Sequence, residues 1–163
     1  MSSVRPLTLL LTLSTFPGFA FAQSATDTFS VTAEVIDACT ITANDLDFGN
    51  YSAISGSNVD ASSTLEVTCT NGTSYSVALD EGTTSGGTLT TRLMTDGSNT
   101  LDYNLYTSAA RTTVWGDGTS SSVTVSGTGS GSLQSLSVYG RIPASQSVAI
   151  GSYSDTITAT ISF

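Results

Sequence analysis

From Asp155 to Phe163 the sequence reads DTITATISF, and every second side chain is apolar: Ile157, Ala159, Ile161 and Phe163 share one face, while Thr156, Thr158, Thr160 and Ser162 share the other. A two-residue period rich in β-branched residues specifies a strand with one buried face, because successive side chains of a strand point to opposite sides. The same period appears in Thr28 to Ile41, TFSVTAEVIDACTI, where Phe29, Val31, Ala33 and Val35 alternate with Ser30, Thr32 and Glu34. There it breaks at the adjacent apolar pair Val35-Ile36, crosses Asp37-Ala38 and resumes as Cys39-Thr40-Ile41. A strand that stops, hinges and restarts is expected to serve two different sheets.

Between these stretches no window of a dozen residues has a helical period, and Ser, Thr and Gly separate short alternating runs. Leu46-Asp47-Phe48-Gly49 reads as a brief edge segment, and Leu65, Val67 and Cys69 as a strand within Thr64 to Thr70. Asn71-Gly72 follows at once, a strong hairpin signal, so Tyr75, Val77 and Leu79 are expected to form the partner strand. Asp80 to Thr88 is a loop by composition; Leu93-Met94 begins a strand that Asp96-Gly97 turns into Leu101, Tyr103 and Leu105. Val123 and Val125, a flexible turn at Gly127 to Gly131, and a strand through Leu136, Val138 and Ile142 broken at Pro143 complete the series. Six or seven strands from Cys39 onward imply an all-β chain, a sandwich of two antiparallel sheets in the immunoglobulin style.

Residues 1–22 read as a secretory signal: Arg5 precedes the apolar run Leu7 to Leu13, and Ala20-Phe21-Ala22 fits cleavage before Gln23. Ser14, Thr15, Pro17 and Gly18 interrupt that run well short of a membrane span. Gln23 to Phe163 suffices for one domain. In a secreted chain the only two cysteines, Cys39 and Cys69, imply one disulfide, worth about 3 to 4 kcal/mol in the chain-entropy model.

Thirteen acidic residues face only Arg92, Arg111 and Arg141 in that stretch, which argues against nucleic-acid binding. With neither His nor Lys, the chain cannot build a Ser-His-Asp or Ser-Lys centre, an imidazole-ligated zinc site or a Lys-Asn cross-link, and nothing activates a free thiol. The carboxylate pairs Asp45 with Asp47 and Asp80 with Glu81 are candidates for glycosidase or calcium chemistry, yet each lies in an apparent turn, where carboxylates commonly serve the turn itself. No enzyme activity, metal or cofactor is expected. Asn71-Gly72-Thr73 matches a glycosylation acceptor that the turn explains more simply; Trp115 is expected to cap the core and Tyr153 to fix a corner.

FGNY at Phe48 to Tyr51, LEVTC at Leu65 to Cys69, YSVALDEG at Tyr75 to Gly82, LDYNLYTSAARTTVWGDG at Leu101 to Gly118, VYGRIPASQ at Val138 to Gln146 and the final GSYSDTITATISF together resemble the spore coat protein U domain. That family includes the Csu-type pilin subunits of archaic chaperone-usher pili. The resemblance implies an incomplete immunoglobulin-like sandwich lacking its seventh strand, filled first by a periplasmic chaperone and then by the N-terminal strand of a neighbouring subunit. By position it makes Phe29, Val31, Ala33 and Val35 the donor strand, residues 23–37 the donor segment and hinge, and residues 38–163 the pilin domain. Ile157, Ala159, Ile161 and Phe163 become the acceptor-groove edge with which the chaperone pairs. Ala33 departs from the expectation of a larger plug, leaving either a shallow pocket or a shifted register.

The partners implied are further copies in a head-to-tail homopolymer, a periplasmic chaperone and an outer-membrane usher, with the pilus at the cell surface as destination. The alternative is a secreted coat or binding module that closes its own sandwich with the same strand. A tip adhesin would ordinarily need a second domain.

Overall fold

The computed structural model describes residues 22–163, which divide into a segment reaching Glu34 and a compact unit, Val35–Phe163. The expected export signal over residues 1–22 lies, apart from Ala22, outside the described residues. In the first segment the alternation of Phe29, Val31 and Ala33 is not realised as a strand. Phe29 and Val31 are more than four-fifths exposed, and without a neighbouring strand the backbone N–H and C=O groups are left to water.

The compact unit contains β1 (Cys39–Ala43), β2 (Val59–Cys69), β3 (Ser74–Leu79), β4 (Arg92–Thr95), β5 (Thr100–Tyr106), β6 (Val125–Thr128), β7 (Gln134–Ile142) and β8 (Ala159–Ser162). They form two antiparallel sheets, ordered β1-β2-β7-β5-β4 and β6-β3-β8. The described residues hold no helix long and apolar enough to cross a membrane. Inward positions of both sheets meet in one core, where Val67, Val77, Leu79 and Ile142 are at most 2% exposed. The eight strands exceed the six or seven expected; the short strands read at Leu93-Met94 and at Val125 are present as β4 and β6, each of four residues.

One expectation is corrected at Asn71-Gly72. The chain does turn there, with Gly72 at φ +91° and the Thr73 N–H donating to the Thr70 carbonyl at 3.1 Å, but β2 and β3 lie in opposite sheets and do not pair. Leu65, Val67 and Cys69 face the core from one side, and Tyr75, Val77 and Leu79 face it from the other. The dipeptide reports the need for a positive φ, which a sheet-to-sheet crossing shares with a hairpin.

At Asp96-Gly97 the hairpin is present: Thr95 opposes Thr100 and Leu93 opposes Asp102 across β4 and β5. Leu46 to Gly49 is not an edge strand; Asp47 Oδ1 accepts the Gly49 N–H at 2.7 Å, and Phe48 lies edge-on to Tyr103 with ring centroids 6.0 Å apart. Gly127, assigned to a flexible turn, lies within β6, where a Cβ would sit 2.5 Å from the Tyr75 ring.

Trp115 is buried and donates Nε1–H to the Val77 carbonyl at 2.9 Å, as a core-capping residue should. Tyr153 donates its hydroxyl to the Ala149 carbonyl at 3.0 Å, four residues upstream, which is the geometry of a corner-fixing tyrosine.

Candidate functional site

The disulfide joins Cys39 to Cys69 at directly opposed positions of β1 and β2. It fastens β1 to the edge of the larger sheet, where, among the described residues, β1 pairs with β2 alone. On the same side of the sandwich β8 is the edge of the smaller sheet, pairing among the described residues only with β3, with Ile161 opposite Val77 and Ala159 opposite Leu79. Two strands that each lack a partner on one flank therefore lie side by side, and their free N–H and C=O groups form a template for an added strand.

Near the end of β1 and the beginning of β8 the two layers part into a cleft of about 870 Å3. One wall is the stretch from Ala43 to Tyr51 and the other runs from Val148 through Ile157 to Ala159. Its floor is core: Leu79 from β3, Leu101, Tyr103 and Leu105 from β5, and Val138 and Ile142 from β7. The floor side chains are themselves buried, and a cleft above such an apolar floor can receive the apolar side chains of an added strand.

Carboxylates shape the β8 wall. Asp80 donates its backbone N–H to the Thr158 carbonyl at 3.1 Å, and its Oδ1 accepts the Thr158 N–H at 2.9 Å. The side chain thus stands in for a ladder carbonyl just before β8 begins. Asp155 accepts the Tyr103 hydroxyl at 2.7 Å and the N–H groups of Thr83 and Thr84 at 2.9 and 3.0 Å. Burial, then the neighbouring Asp155, pushes the Tyr103 phenol upward, so it remains a donor. Gly82, at φ +93°, fits because a Cβ there would overlap the Asp155 carboxylate.

Beneath this network Arg92 is fully buried. Its Nε and NH2 donate to the Asp80 carbonyl at 2.8 and 2.7 Å, its NH2 also to the Trp115 carbonyl at 2.9 Å, and its NH1 to Asn104 Oδ1 at 2.7 Å. Burial lowers the guanidinium below its ordinary value. Arg92 therefore links the core to Asp80, and through Asp80 to the wall at Thr158. The sequence identified it only as a cation, although its place two residues before Met94 on the inward face of β4 was a usable signal.

Of the four residues expected on the acceptor edge, Ile157 and Ala159 line the cleft. Ile161 lies further along β8, half-buried against β3, and Phe163 is 60% exposed. The expected donor residues Phe29, Val31, Ala33 and Val35 are exposed. The cleft floor from β3, β5 and β7 was read only as core, because alternation identifies an inward face without saying whether it is covered.

Among the described residues no group of three or more His, Cys, Asp or Glu side chains could hold a metal ion. Asp80 serves its turn, accepting the Gly82 N–H at 3.1 Å, as well as Thr158. The Asn71-Gly72-Thr73 threonine is buried and donates to Asp37.

The architecture is an immunoglobulin-like antiparallel sandwich with two adjacent edges unpaired among the described residues, beside a cleft with an apolar floor. The chain belongs to the Spore Coat Protein U domain family, whose model matches residues 25–160. It is 33% identical over 159 residues to Protein U of Myxococcus xanthus, covering 88% of each chain. The fold is shared with a chain in the crystal structure of the CsuC-CsuE chaperone-tip adhesion subunit pre-assembly complex from archaic chaperone-usher Csu pili of Acinetobacter baumannii, at a TM-score of 0.60 and 23% identity. That match covers 79% of this chain and 40% of the other, so the chain spans less than half the length of that structural relative.

Proposed function

We propose that this protein is a structural subunit of a chaperone-usher surface fibre and polymerises by donor-strand complementation. The observation that carries the reading is the pair of unpaired edges, β1 and β8, beside a cleft with an apolar floor. In this reading Phe29, Val31, Ala33 and Val35 of one subunit enter the space between β1 and β8 of the next, with Ile157, Ala159, Ile161 and Phe163 on the receiving edge. Main-chain hydrogen bonds supply affinity and alternate side chains supply specificity. Four apolar side chains contribute about 5 to 10 kcal/mol before ordering costs. The contact is head-to-tail, so it propagates into a filament instead of closing.

Before assembly a periplasmic chaperone pairs with β8 and shields the cleft, and an outer-membrane usher exchanges it for the next subunit. The fibre is a cell-surface pilus serving adhesion and biofilm formation. No catalytic step is part of this role.

Mixing a variant lacking residues 23–36 with intact subunits tests the assignment: the variant can accept but not donate, so it should terminate fibres. Unchanged polymer length would refute the donor role. A second reading, a secreted module that closes its own sandwich with the same segment, draws on the spore coat domain that defines the family. Sedimentation of the mature chain without a chaperone separates the two, a stable monomer with Val31 protected from exchange favouring self-closure and polymer favouring the fibre.

A further inference from the structure

The chain enters the compact unit through a grip on three consecutive residues. The Ile36 carbonyl accepts the Thr70 hydroxyl at 3.3 Å, Asp37 Oδ1 accepts the Thr73 hydroxyl at 2.6 Å, and the Ala38 carbonyl accepts the Thr70 N–H at 2.9 Å. The turn that provides these donors is itself braced. The Gly72 N–H donates to the Gly129 carbonyl at 2.9 Å, the Gly129 N–H returns to the Thr73 carbonyl at 2.7 Å, and the disulfide sits at the preceding residue, Cys69. Thr73 is 5% exposed, so its hydroxyl is committed to Asp37, whereas Val35, just outside the grip, is 84% exposed and Ile36, held by its carbonyl alone, is 71% exposed.

We propose that Asp37 and Thr73 are positioning residues for the donor segment, a latch that fixes its exit point on the Thr70–Thr73 turn. The inference rests on the donor-strand reading. Only Ile36 then separates the last donor residue, Val35, from the latched residue. Because an extended chain spans at most about 3.6 Å per residue, the donor subunit's body is held within about 7 Å of the groove its segment occupies. Consecutive bodies in a fibre therefore abut at this turn instead of swinging on a flexible tether. The chemistry suits a latch: a carboxylate oxygen accepting a hydroxyl at short range is a charge-assisted hydrogen bond, and a buried donor holds it in one geometry. It also gives Asp37, at the break in the alternation, a task that neither half of the interrupted strand needs.

Asp37→Ala and Thr73→Val remove the latch from either side, Thr73→Ser restores the hydroxyl, and Glu81→Ala alters an exposed carboxylate outside the cleft. In electron micrographs, Asp37→Ala and Thr73→Val fibres should form but bend more, with persistence length falling about twofold or more as the anchored tether becomes flexible. Thr73→Ser and Glu81→Ala fibres should match wild type. Equal stiffness in all five proteins would overturn the latch.

The mature wild-type and variant proteins are also compared by amide order parameters. The Ile36 and Asp37 amides should be as rigid as β1 in wild type and lose that rigidity in Asp37→Ala; no change would overturn the latch whether or not fibres form. Wild-type protein that never polymerises, while Asp37→Ala still shows this loss, would instead count against the donor-strand reading alone.

Discussion

The guanidinium of Arg92, with no exposed surface, answers three backbone carbonyl contacts and the Asn104 amide oxygen, so its interior position depends on a planar fork of donors. Lysine offers a single compact ammonium that cannot reach Asp80, Trp115 and Asn104 together, and each buried acceptor left without a donor costs about 1 to 3 kcal/mol. Arg92→Lys should therefore lower unfolding stability by about 3 kcal/mol, read from urea titrations with an unchanged slope. A loss below about 1 kcal/mol would mean that the network contributes little. Asp96 acts at the surface. Hydrogen bonds from the Asn99 side chain and backbone, then from the Ser98 N–H, hold its carboxyl at about 2 against an ordinary 3.8. A folded-state value below the unfolded one means that the carboxylate stabilises the fold fully above about pH 4, and that this contribution fades as pH falls toward 2. Asp60, held down chiefly by Arg141, and Asp117, by Thr119, act in the same direction. The urea midpoint difference between wild type and Asp96→Asn should be flat from pH 7 to about 5, narrow below about 4 and be nearly gone at about 2. A difference independent of pH would show that the charge is not what Asp96 contributes.

At the scale of elements, β8 is the strand whose position matters most, and its leading edge is held by a side chain. The ladder with β3 runs from Ala159 to Ser162, while the Thr158 N–H just ahead of it rests on Asp80 Oδ1. Asp80→Ala leaves that N–H without its acceptor and should speed exchange of the Thr158 amide by about tenfold or more, while Val77 in β3 remains as slow as before. Asp80→Asn, which keeps an oxygen, should lie between. If both amides accelerate alike, Asp80 supports the whole sheet instead of the wall. Much of this architecture was legible beforehand: inward alternation in Leu65-Val67-Cys69, Tyr75-Val77-Leu79 and Leu101-Tyr103-Leu105 marked β2, β3 and β5, and the cysteine pair marked the tie between β1 and β2. What eluded it has physical reasons. A positive-φ glycine serves a crossing as well as a hairpin, so Gly72 did not disclose that β2 and β3 separate into different sheets. Asp80 looked like a turn residue because the partner that commits it, Thr158, is 78 residues away, and Asp155, read only as the start of the last strand, is committed by Tyr103, 52 residues away.

For the molecule as a whole, the acceptor reading requires the cleft beside Ile157 to be occupied by something the compact unit does not itself provide, and occupancy is measurable as stability. A variant lacking residues 23–36 keeps both sheets and the disulfide, but leaves β1 and β8 without the proposed strand. A synthetic peptide of residues 23–36 should then bind in trans and raise the melting temperature in a concentration-dependent way. At a hundred times its dissociation constant the linkage relation gives about 2.7 kcal/mol, a shift on the order of 10 °C for a domain of this size. Because recognition lies in alternate side chains, Phe29→Asp and Val31→Asp peptides should lose most of the effect, whereas Ser30→Asp and Thr32→Asp, on the opposite face of an added strand, should retain it. The Ala33→Val peptide discriminates register: a stronger shift means that the pocket beneath Ala33 has room, and a weaker one that it is shallow. The intact mature monomer, should it close on itself, would already have the higher melting temperature and would not respond to added peptide. Failure of the truncated variant to respond at millimolar peptide would remove the cleft between β1 and β8 as the acceptor, whatever fibres the protein forms by other means.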